Sequence, residues 1–419
     1  MTKRRVRTFL IIFTISAVAC LTAIPLLCRD EPPPKDDDLR SSRVQIPDDQ
    51  NAIHYFILAQ SEMHDFSWTL LSGDGPWNAE DAEDTLSRNR KFFELLEKGL
   101  ACKEAIEPPS LEAVEGCGWF ELYLHYQWLI IRARQMAFNG NDKAALDDAL
   151  RIIKFGHILQ TCRGGFHAFY HGSKAKYAGF TWFHKLLKDV KLERSVLQDY
   201  MARLQAFRSD GAVLAEKLKA EYEADRRNGD PQMVKFRYSG PDELFAPVWG
   251  YSYKPNKTRR RLAEQYRIAI ANLTRPYADR TPFDPPRYSE IPTIERRLHL
   301  IALLQPNYVG EAGVYQSGVA FLQHVASSTC EDDTRVSATR ILIALKCHKL
   351  KTGSLPKSLD ELVPEYFDNV PLDQFDRKPM RYLPDRRIIY SVGADLFDCA
   401  GLTQQENGGA GDIIFNIEF

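Results

Sequence analysis

The chain has 419 residues, of which 44% are hydrophobic and 26% charged, a globular composition with enough apolar side chains for two or three cores. Its formal net charge of -1 argues against a dedicated nucleic-acid-binding protein, because such proteins carry an excess of Lys and Arg. Eight cysteines are too few for a disulfide scaffold in a chain of this length.

Residues 1–30 are typical of a signal anchor or a signal peptide. A basic cluster between residues 3 and 7 precedes an uncharged apolar stretch, residues 8–28, which is long enough to span a membrane as a helix. The basic cluster predicts a cytoplasmic N-terminus, with the bulk of the chain outside the cytoplasm. Alternatively, Ala17-Val18-Ala19 is a cleavage site or Ala19-Cys20 a lipoprotein junction, which would give a secreted or lipid-anchored protein. The proline-rich, charged residues 31–47 predict a solvated linker.

Residues 48–300 predict an α-helical domain. Apolar residues recur at helical spacing, and the short Gly, Asn or Pro breaks between helices indicate antiparallel helical hairpins. Residues 119–138 are apolar nearly all round and should form the most buried helix. Many prolines and glycines between residues 226 and 292 predict an excursion or a boundary within this domain.

Two histidines in this domain are the best lead to an enzyme. His167 and His171 are four residues apart, which places both imidazoles on one helical face, as zinc ligation requires. Position 168 is Ala, where a zinc protease motif would have Glu, so the pair also fits two structural histidines. A third ligand converging on the pair would favour the enzyme, and a closed apolar neighbourhood would favour a structural role.

Residues 309–419 predict a long helix followed by a small antiparallel β module. Gly353 should end the helix, and Ser354 or Ser358 should cap a short helix over 359–366. Alternating β-branched and aromatic runs predict strands at 379–383, 387–392 and 412–417, with a Gly- and Asp-rich loop before the third. The predicted fold class is therefore α+β, with an N-terminal membrane anchor, a helical domain and this β module.

The motifs of the β module follow a recognisable order. They are GSLPKSLDELVP (353–364), PLDQFDRKPMRY (371–382), IYSVGAD (389–395) and a final DIIF strand (412–415). This order resembles the globular part of type II secretion pseudopilins and a similar C-terminal module of envelope proteins from planctomycete- and verrucomicrobia-like bacteria. With the leader, the resemblance implies a protein of the bacterial inner membrane whose bulk lies in the periplasm.

The resemblance also implies a calcium ion in the loop before the third strand. In pseudopilins the corresponding loop holds calcium, and the matching positions here are Asp395, Asp398 and Asp412. Calcium requires six to eight oxygen ligands from a loop that can wrap around it. The alternative is an ordered turn in which Asp side chains accept hydrogen bonds from the backbone.

These features together predict a membrane-tethered extracytoplasmic protein with an interaction or structural role. Its expected partners are the membrane, through residues 8–28, and other proteins of the cell envelope, and no nucleic acid is expected. The alternative is an envelope hydrolase, metal-dependent through His167 and His171. A concave pocket with converging polar groups in the helical domain is the feature that would distinguish these functions best.

Overall fold

The structure is a computed structural model that describes residues 29–42, 45–64, 70, 77–107, 122, 124–163, 166–228, 253–283, 307, 310 and 320–419. It divides into two compact units, each assembled from separate stretches of the chain. Unit 1 draws on residues 1–41, 221–269 and 282–323, and unit 2 on residues 42–220, 270–281 and 324–419.

The described chain is mostly helical. Its α-helices are Ala52–Ser61 (α1), Ala79–Arg88 (α2), Arg90–Ala101 (α3), His125–Phe138 (α4), Asp142–Thr161 (α5), Phe166–Asp189 (α6), Arg194–Leu204 (α7), Gly211–Asn228 (α8), Pro255–Asn272 (α9), Ala320–Thr352 (α10) and Gln404–Asn407 (α11). Helices α1, α2 and α5 begin after Asn51, Asn78 and Asn141, whose side chains each accept a backbone N–H two or three residues further on. This N-capping explains why the helices start at the polar breaks visible in the sequence.

Helices α5 and α6 pack closely through three glycines, Gly156 on α5 and Gly172 and Gly179 on α6. A Cβ atom at Gly156 would lie 2.5 Å from the backbone nitrogen of Lys176, and one at Gly172 would lie 2.6 Å from the carbonyl oxygen of Gly156. No other residue type fits at this distance, so the glycines bring the two backbones together.

Unit 2 contains two large hydrophobic clusters. The first joins α5, α6 and α7 to α10 and the C-terminal sheet, and the second joins α1, α3 and α4 to α5. Trp128 and Ile131 of α4 are fully buried in the second cluster, whereas Phe138 at the end of the same helix is 62% exposed. Trp182 of α6 packs against both clusters.

The transition from α10 to the β module follows the sequence prediction. Gly353 has a φ of +85° and its N–H donates to the Lys349 carbonyl at 2.8 Å, so it ends the helix as expected. Ser358 and Glu361 then form a capping box. The element that they cap is a 3-10 helix, Leu359–Leu362, shorter than the predicted 359–366.

Three short strands form one antiparallel sheet in the order β1-β2-β3. They are Arg381–Leu383 (β1), Ile388–Ser391 (β2) and Ile413–Asn416 (β3). All three predicted strands are present, and each is shorter than predicted. In the loop between β2 and β3, backbone N–H groups donate hydrogen bonds to Asp side chains, as described below.

The predicted fold class is wrong and is corrected to a mostly helical protein with one small antiparallel sheet, and the described residues show no membrane anchor. The predicted anchor, residues 8–28, lies outside the described residues. Among the helices that the structure does describe, none is both long enough and apolar enough to cross a membrane. The longest of them, α10, carries Asp332, Asp333, Arg335 and Arg340 along its length, which explains why it does not qualify.

In unit 1, part of the predicted solvated linker is buried. Leu39 is only 1% exposed, and the carboxylate of Asp36 accepts a hydrogen bond from the Tyr222 hydroxyl at 2.6 Å. Asp38 pairs with the guanidinium of Arg267 on α9 through two bonds of 2.7 and 2.8 Å. Residues 36–39 are therefore packed against helices of their own unit and are not a free spacer.

His184 on α6 should make stability depend on pH. Its Nε2 lies 2.7 Å from the Thr339 hydroxyl on α10, and desolvation, followed by the charge of Arg335, lowers its pKa to about 4. The usual pKa of a histidine is about 6.5. Between pH 6.5 and pH 4, His184 therefore takes up a proton in the unfolded chain but not in the folded chain. We therefore expect this residue to reduce the free energy of unfolding by about 1.4 kcal/mol per pH unit as pH falls through that range.

Urea unfolding of the wild type and His184→Asn at pH 7, 6, 5 and 4 measures this effect. The difference in stability between the two proteins should shrink as pH falls below 6.5, because asparagine does not titrate. A difference that stays constant from pH 7 to pH 4 would contradict the prediction.

Candidate binding groove

The two predicted zinc ligands lie on one helix, but no metal centre forms around them. His167 is exposed and His171 half-buried in the first turns of α6, where desolvation, then His167 and Lys174, lower the pKa of His171 to about 4. Within the described residues, no three His, Cys, Asp or Glu side chains are grouped so that they could hold a metal ion. The structure thus supplies no third ligand for the predicted pair.

The three predicted calcium ligands are each engaged by protein donors. Asp412 accepts the backbone N–H groups of Cys399 and Gly401 at 3.2 and 2.7 Å, and Asp395 accepts that of Phe397 at 3.0 Å. Asp398 accepts from the backbone N–H of Ala400 at 3.0 Å. These are the bonds of the alternative interpretation, an ordered turn held by Asp side chains.

Arg381 of β1 provides the positive charge beside this loop. Its guanidinium donates to Asp398 at 2.9 Å, to Asp376 at 2.6 Å and to Asp373 at 3.1 Å. Asp373 has no exposed surface and also accepts from the Ser391 hydroxyl and from the Val392 N–H. In this arrangement each of the three predicted ligands accepts a hydrogen bond from a backbone N–H group, and Asp398 also pairs with the Arg381 guanidinium.

Calcium binding at this loop stays a prediction, tested by the melting temperature of the full chain in millimolar calcium and in chelator. A ligand that binds only the folded state raises the melting temperature by mass action. A higher value in calcium, lost in Asp395→Ala, would support the prediction. Equal melting temperatures in the two conditions would contradict it.

A groove of about 640 Å³ lies between α6 and α10 in unit 2, and we call it the aromatic groove. Its lining residues are Tyr126, Tyr170, Ser173, Lys174, Tyr177, Ala178, Thr181, Trp182, His324, Ser328, Glu331, Asp332 and Arg335. None of the predicted site residues is among them. The groove is nevertheless a concave feature between helices, the kind of feature expected to distinguish an interaction protein from a hydrolase.

Aromatic rings beside cations form much of the wall. The Lys174 ammonium lies 4.4 Å from the Tyr170 ring centroid, and the Arg335 guanidinium lies 4.8 Å from that of Tyr177. Tyr177 is 55% exposed, which is unusual for an aromatic ring and leaves most of it accessible. The groove therefore offers large, amphipathic contact surfaces to a ligand.

A buried ion pair forms the floor, and its acid, Asp332, is the member that lines the groove. The Lys176 ammonium lies 3.3 Å from the Asp332 carboxylate, and their side chains are 0% and 4% exposed. The Gln160 amide donates to the same carboxylate at 2.6 Å and to the Ser173 hydroxyl at 2.9 Å. Lys176 also donates to the Phe207 carbonyl at 3.2 Å. These bonds fix α6 and α10 against each other beneath the aromatic wall.

The rim holds nearly balanced charge. Arg335 pairs with Glu331 at 3.1 Å, on the same turn of α10 as the buried Asp332. His324 lies beside Tyr170, with ring centroids 6.0 Å apart, and desolvation lowers its pKa, partly offset by Glu331 and Asp332. The imidazole is therefore largely uncharged at neutral pH.

His324 and Ser328 approach each other without the geometry of a nucleophile and its base. The Ser328 hydroxyl oxygen lies 3.3 Å from Nδ1 and 3.4 Å from Nε2 of His324. Because the two distances are nearly equal, neither ring nitrogen points at the hydroxyl. Proton abstraction would require one nitrogen to point at it.

Sequence reasoning missed the groove, although a signal for it exists. On α6 the lining residues Tyr170, Lys174, Tyr177 and Thr181 have the spacing four, three and four, which is one face of a helix. On α10 the residues His324, Ser328, Glu331 and Arg335 repeat the same spacing. Matching these two partly polar stripes of equal length would have predicted that α6 and α10 face each other across a groove.

Comparison with known proteins leaves the fold without a named relative. No protein-family model, no curated protein and no solved structure matches the chain. The resemblance of the C-terminal module to pseudopilins consequently stays a prediction.

Proposed function

We propose that this is an interaction protein that uses the aromatic groove to bind a partner polypeptide. The observation that carries the proposal is the open wall of Tyr170, Tyr177 and Trp182 with cations beside the rings. Tyr, Trp and Arg are the residue types enriched where protein interfaces concentrate their binding energy.

The chemistry of the groove favours an apolar or aromatic side chain of the partner. Its paired rim charges, Arg335 with Glu331, offer no net field for a strongly charged ligand. An inserted ring would contact Tyr177, and polar atoms of the partner backbone could bond with Lys174 or His324 at the rim.

The floor supports such binding by holding the groove in shape. Lys176 and Gln160 are buried and both bond to the buried Asp332 carboxylate, so the two helices that carry the wall need little ordering when a partner arrives. Preorganisation of this kind increases affinity because less conformational entropy is lost on binding.

The alternative, a hydrolase, has less support. His167 and His171 have no third metal ligand among the described residues, and Ser328 is not aligned with His324 for proton transfer. An extracytoplasmic location stays a prediction from the leader.

Selection from a phage-displayed library of random peptides tests the proposal on the immobilised full chain. We expect enrichment of peptides containing Trp, Phe or Leu. Their affinity for Tyr177→Ser should be at least about tenfold weaker, since truncating an interface anchor costs about 2 kcal/mol or more.

Phe138→Ser is the matched control, because Phe138 is 62% exposed on α4 in the same unit and does not line the groove. It should leave peptide affinity unchanged. Selected peptides that bind Tyr177→Ser as tightly as the wild type, or that lose affinity equally in Phe138→Ser, would contradict the proposed function.

A further inference from the structure

A second groove in unit 2, of about 530 Å³, contains two arginines side by side, and we call it the arginine groove. Arg208 follows the 3-10 turn Gln205–Phe207 after α7, and Arg340 lies on α10. The opposite wall is the segment 364–372, which connects the short 3-10 helix to the β module.

One glutamine orients both guanidinium groups. The Gln205 amide oxygen accepts from Nη1 of Arg340 at 2.9 Å and from Nε of Arg208 at 3.2 Å. Arg208 also donates through Nη2 to the Ser337 hydroxyl at 2.8 Å, and the guanidinium carbon of Arg340 lies 5.4 Å from the Phe367 ring centroid. Two like charges are therefore held together by uncharged groups.

Neither arginine has a carboxylate partner within hydrogen-bonding distance among the described residues. The acids on the groove wall do not supply one: Glu365 is bonded to Arg194 and Lys351, and Asp368 is exposed and forms no ion pair with a described residue. The Nε group of Arg340 is buried and has no hydrogen-bond partner. One guanidinium donor of a groove-lining arginine is thus left without an acceptor.

Without a bound ligand, burying these two positive charges side by side is energetically unfavourable. Burial, followed by the charge of Arg208, lowers the pKa of Arg340. Burial also lowers the pKa of Arg208, with Arg377 adding a further positive charge and Asp333 partly offsetting it. Since a guanidinium keeps its proton in proteins, an anion placed between the two arginines would relieve both the repulsion and the missing bonds.

We infer that the arginine groove binds an oxyanion, either a phosphate or a carboxylate group of a ligand, between Arg208 and Arg340. A planar guanidinium matches both groups because it offers parallel N–H donors to two oxygens. Phe367, Pro364 and Pro371 in the same wall would contact an apolar part of the molecule that carries the anion. The inference does not depend on the aromatic groove and concerns other residues.

Isothermal titration calorimetry on the full chain tests the inference with inorganic phosphate and with acetate, each against chloride at equal ionic strength. We expect saturable binding of at least one of the two anions. Binding of phosphate alone would identify a phosphoryl group as the recognised chemistry, and binding of acetate alone would identify a carboxylate. Binding of both would show that the groove accepts either oxyanion.

Arg340→Gln should weaken that binding at least about tenfold, the effect of losing one charge-assisted hydrogen bond. Arg208→Gln should do the same and provides a second variant if the first fails to fold. The control Arg386→Gln removes an exposed arginine in the same unit and should bind like the wild type. No binding of either anion beyond chloride, or full binding in a folded Arg340→Gln or Arg208→Gln variant, would overturn the inference.

Discussion

Replacing Asp332 with alanine is expected to lower the free energy of unfolding by about 3–5 kcal/mol, the usual cost of removing one partner of a buried ion pair. The Lys176 ammonium has no exposed surface and, among the described residues, would keep only the Phe207 carbonyl as a hydrogen-bond acceptor. The Gln160 amide would lose the same carboxylate. Urea unfolding of the full chain measures this loss.

Two further variants separate the buried charge from other effects of substitution. Glu331→Ala removes the neighbouring acid, which is 37% exposed in its side chain, and should change stability by about 1 kcal/mol or less. The double variant Lys176→Met with Asp332→Leu removes both charges and should recover most of the loss. A loss below 1 kcal/mol in Asp332→Ala, or no recovery in the double variant, would contradict the role assigned to this pair.

Replacing Gly172 with alanine is expected to lower the free energy of unfolding by about 1–3 kcal/mol through overpacking. The added Cβ atom would lie 2.6 Å from the Gly156 carbonyl oxygen and 2.7 Å from the Gln160 backbone nitrogen. These are backbone atoms of α5, so α5 and α6 must move apart. The free-energy cost of this clash must exceed the stabilisation of about 1 kcal/mol that replacing glycine with alanine normally gives a helix.

Gly409→Ala is the matched control, because nothing lies within 4 Å of a Cβ atom there. Thermal unfolding of the two variants should show a lower melting temperature only for Gly172→Ala. A Gly172→Ala protein as stable as the wild type would show that the helices can separate without cost.

Local chemistry made several parts of the fold predictable. The helix end at Gly353, the cap at Ser358 and the three strands follow from residues that act on their immediate neighbours. Apolar residues of α10 at helical spacing are also buried, namely Phe321, Leu322, Val325, Ala338, Ile341, Leu342 and Leu345.

Contacts between distant segments were not predictable in the same way. Thr334, Ser337 and Thr339 on α10 are buried as well, and Asp332 is satisfied by Lys176 from α6. The sequence places Asp332 two residues before Thr334. It does not show which helix supplies the basic partner of Asp332. For this reason helical periodicity could reveal the two stripes that line the aromatic groove, but not the Lys176–Asp332 pair between their helices.

The calcium interpretation shows the same limit. Spacing places Asp395, Asp398 and Asp412 in one loop, as the resemblance to pseudopilins implies. Arg381 lies 17 residues before Asp398 and approaches it because β1 and β2 pair next to the loop. A cationic side chain from another element, such as Arg381, can pair with a carboxylate that the sequence predicts to be a metal ligand. Such a pairing is visible only in the folded structure.

Photo-crosslinking tests most directly whether a partner side chain enters the aromatic groove. The full chain carries the substitution Tyr177→p-benzoylphenylalanine, or Phe138→p-benzoylphenylalanine as the control, and is irradiated with a labelled peptide from the library selection. We predict a crosslinked product from position 177, reduced by excess unlabelled peptide, and none from position 138. Equal crosslinking from both positions, or none from position 177 under conditions in which the peptide binds, would contradict the proposed function.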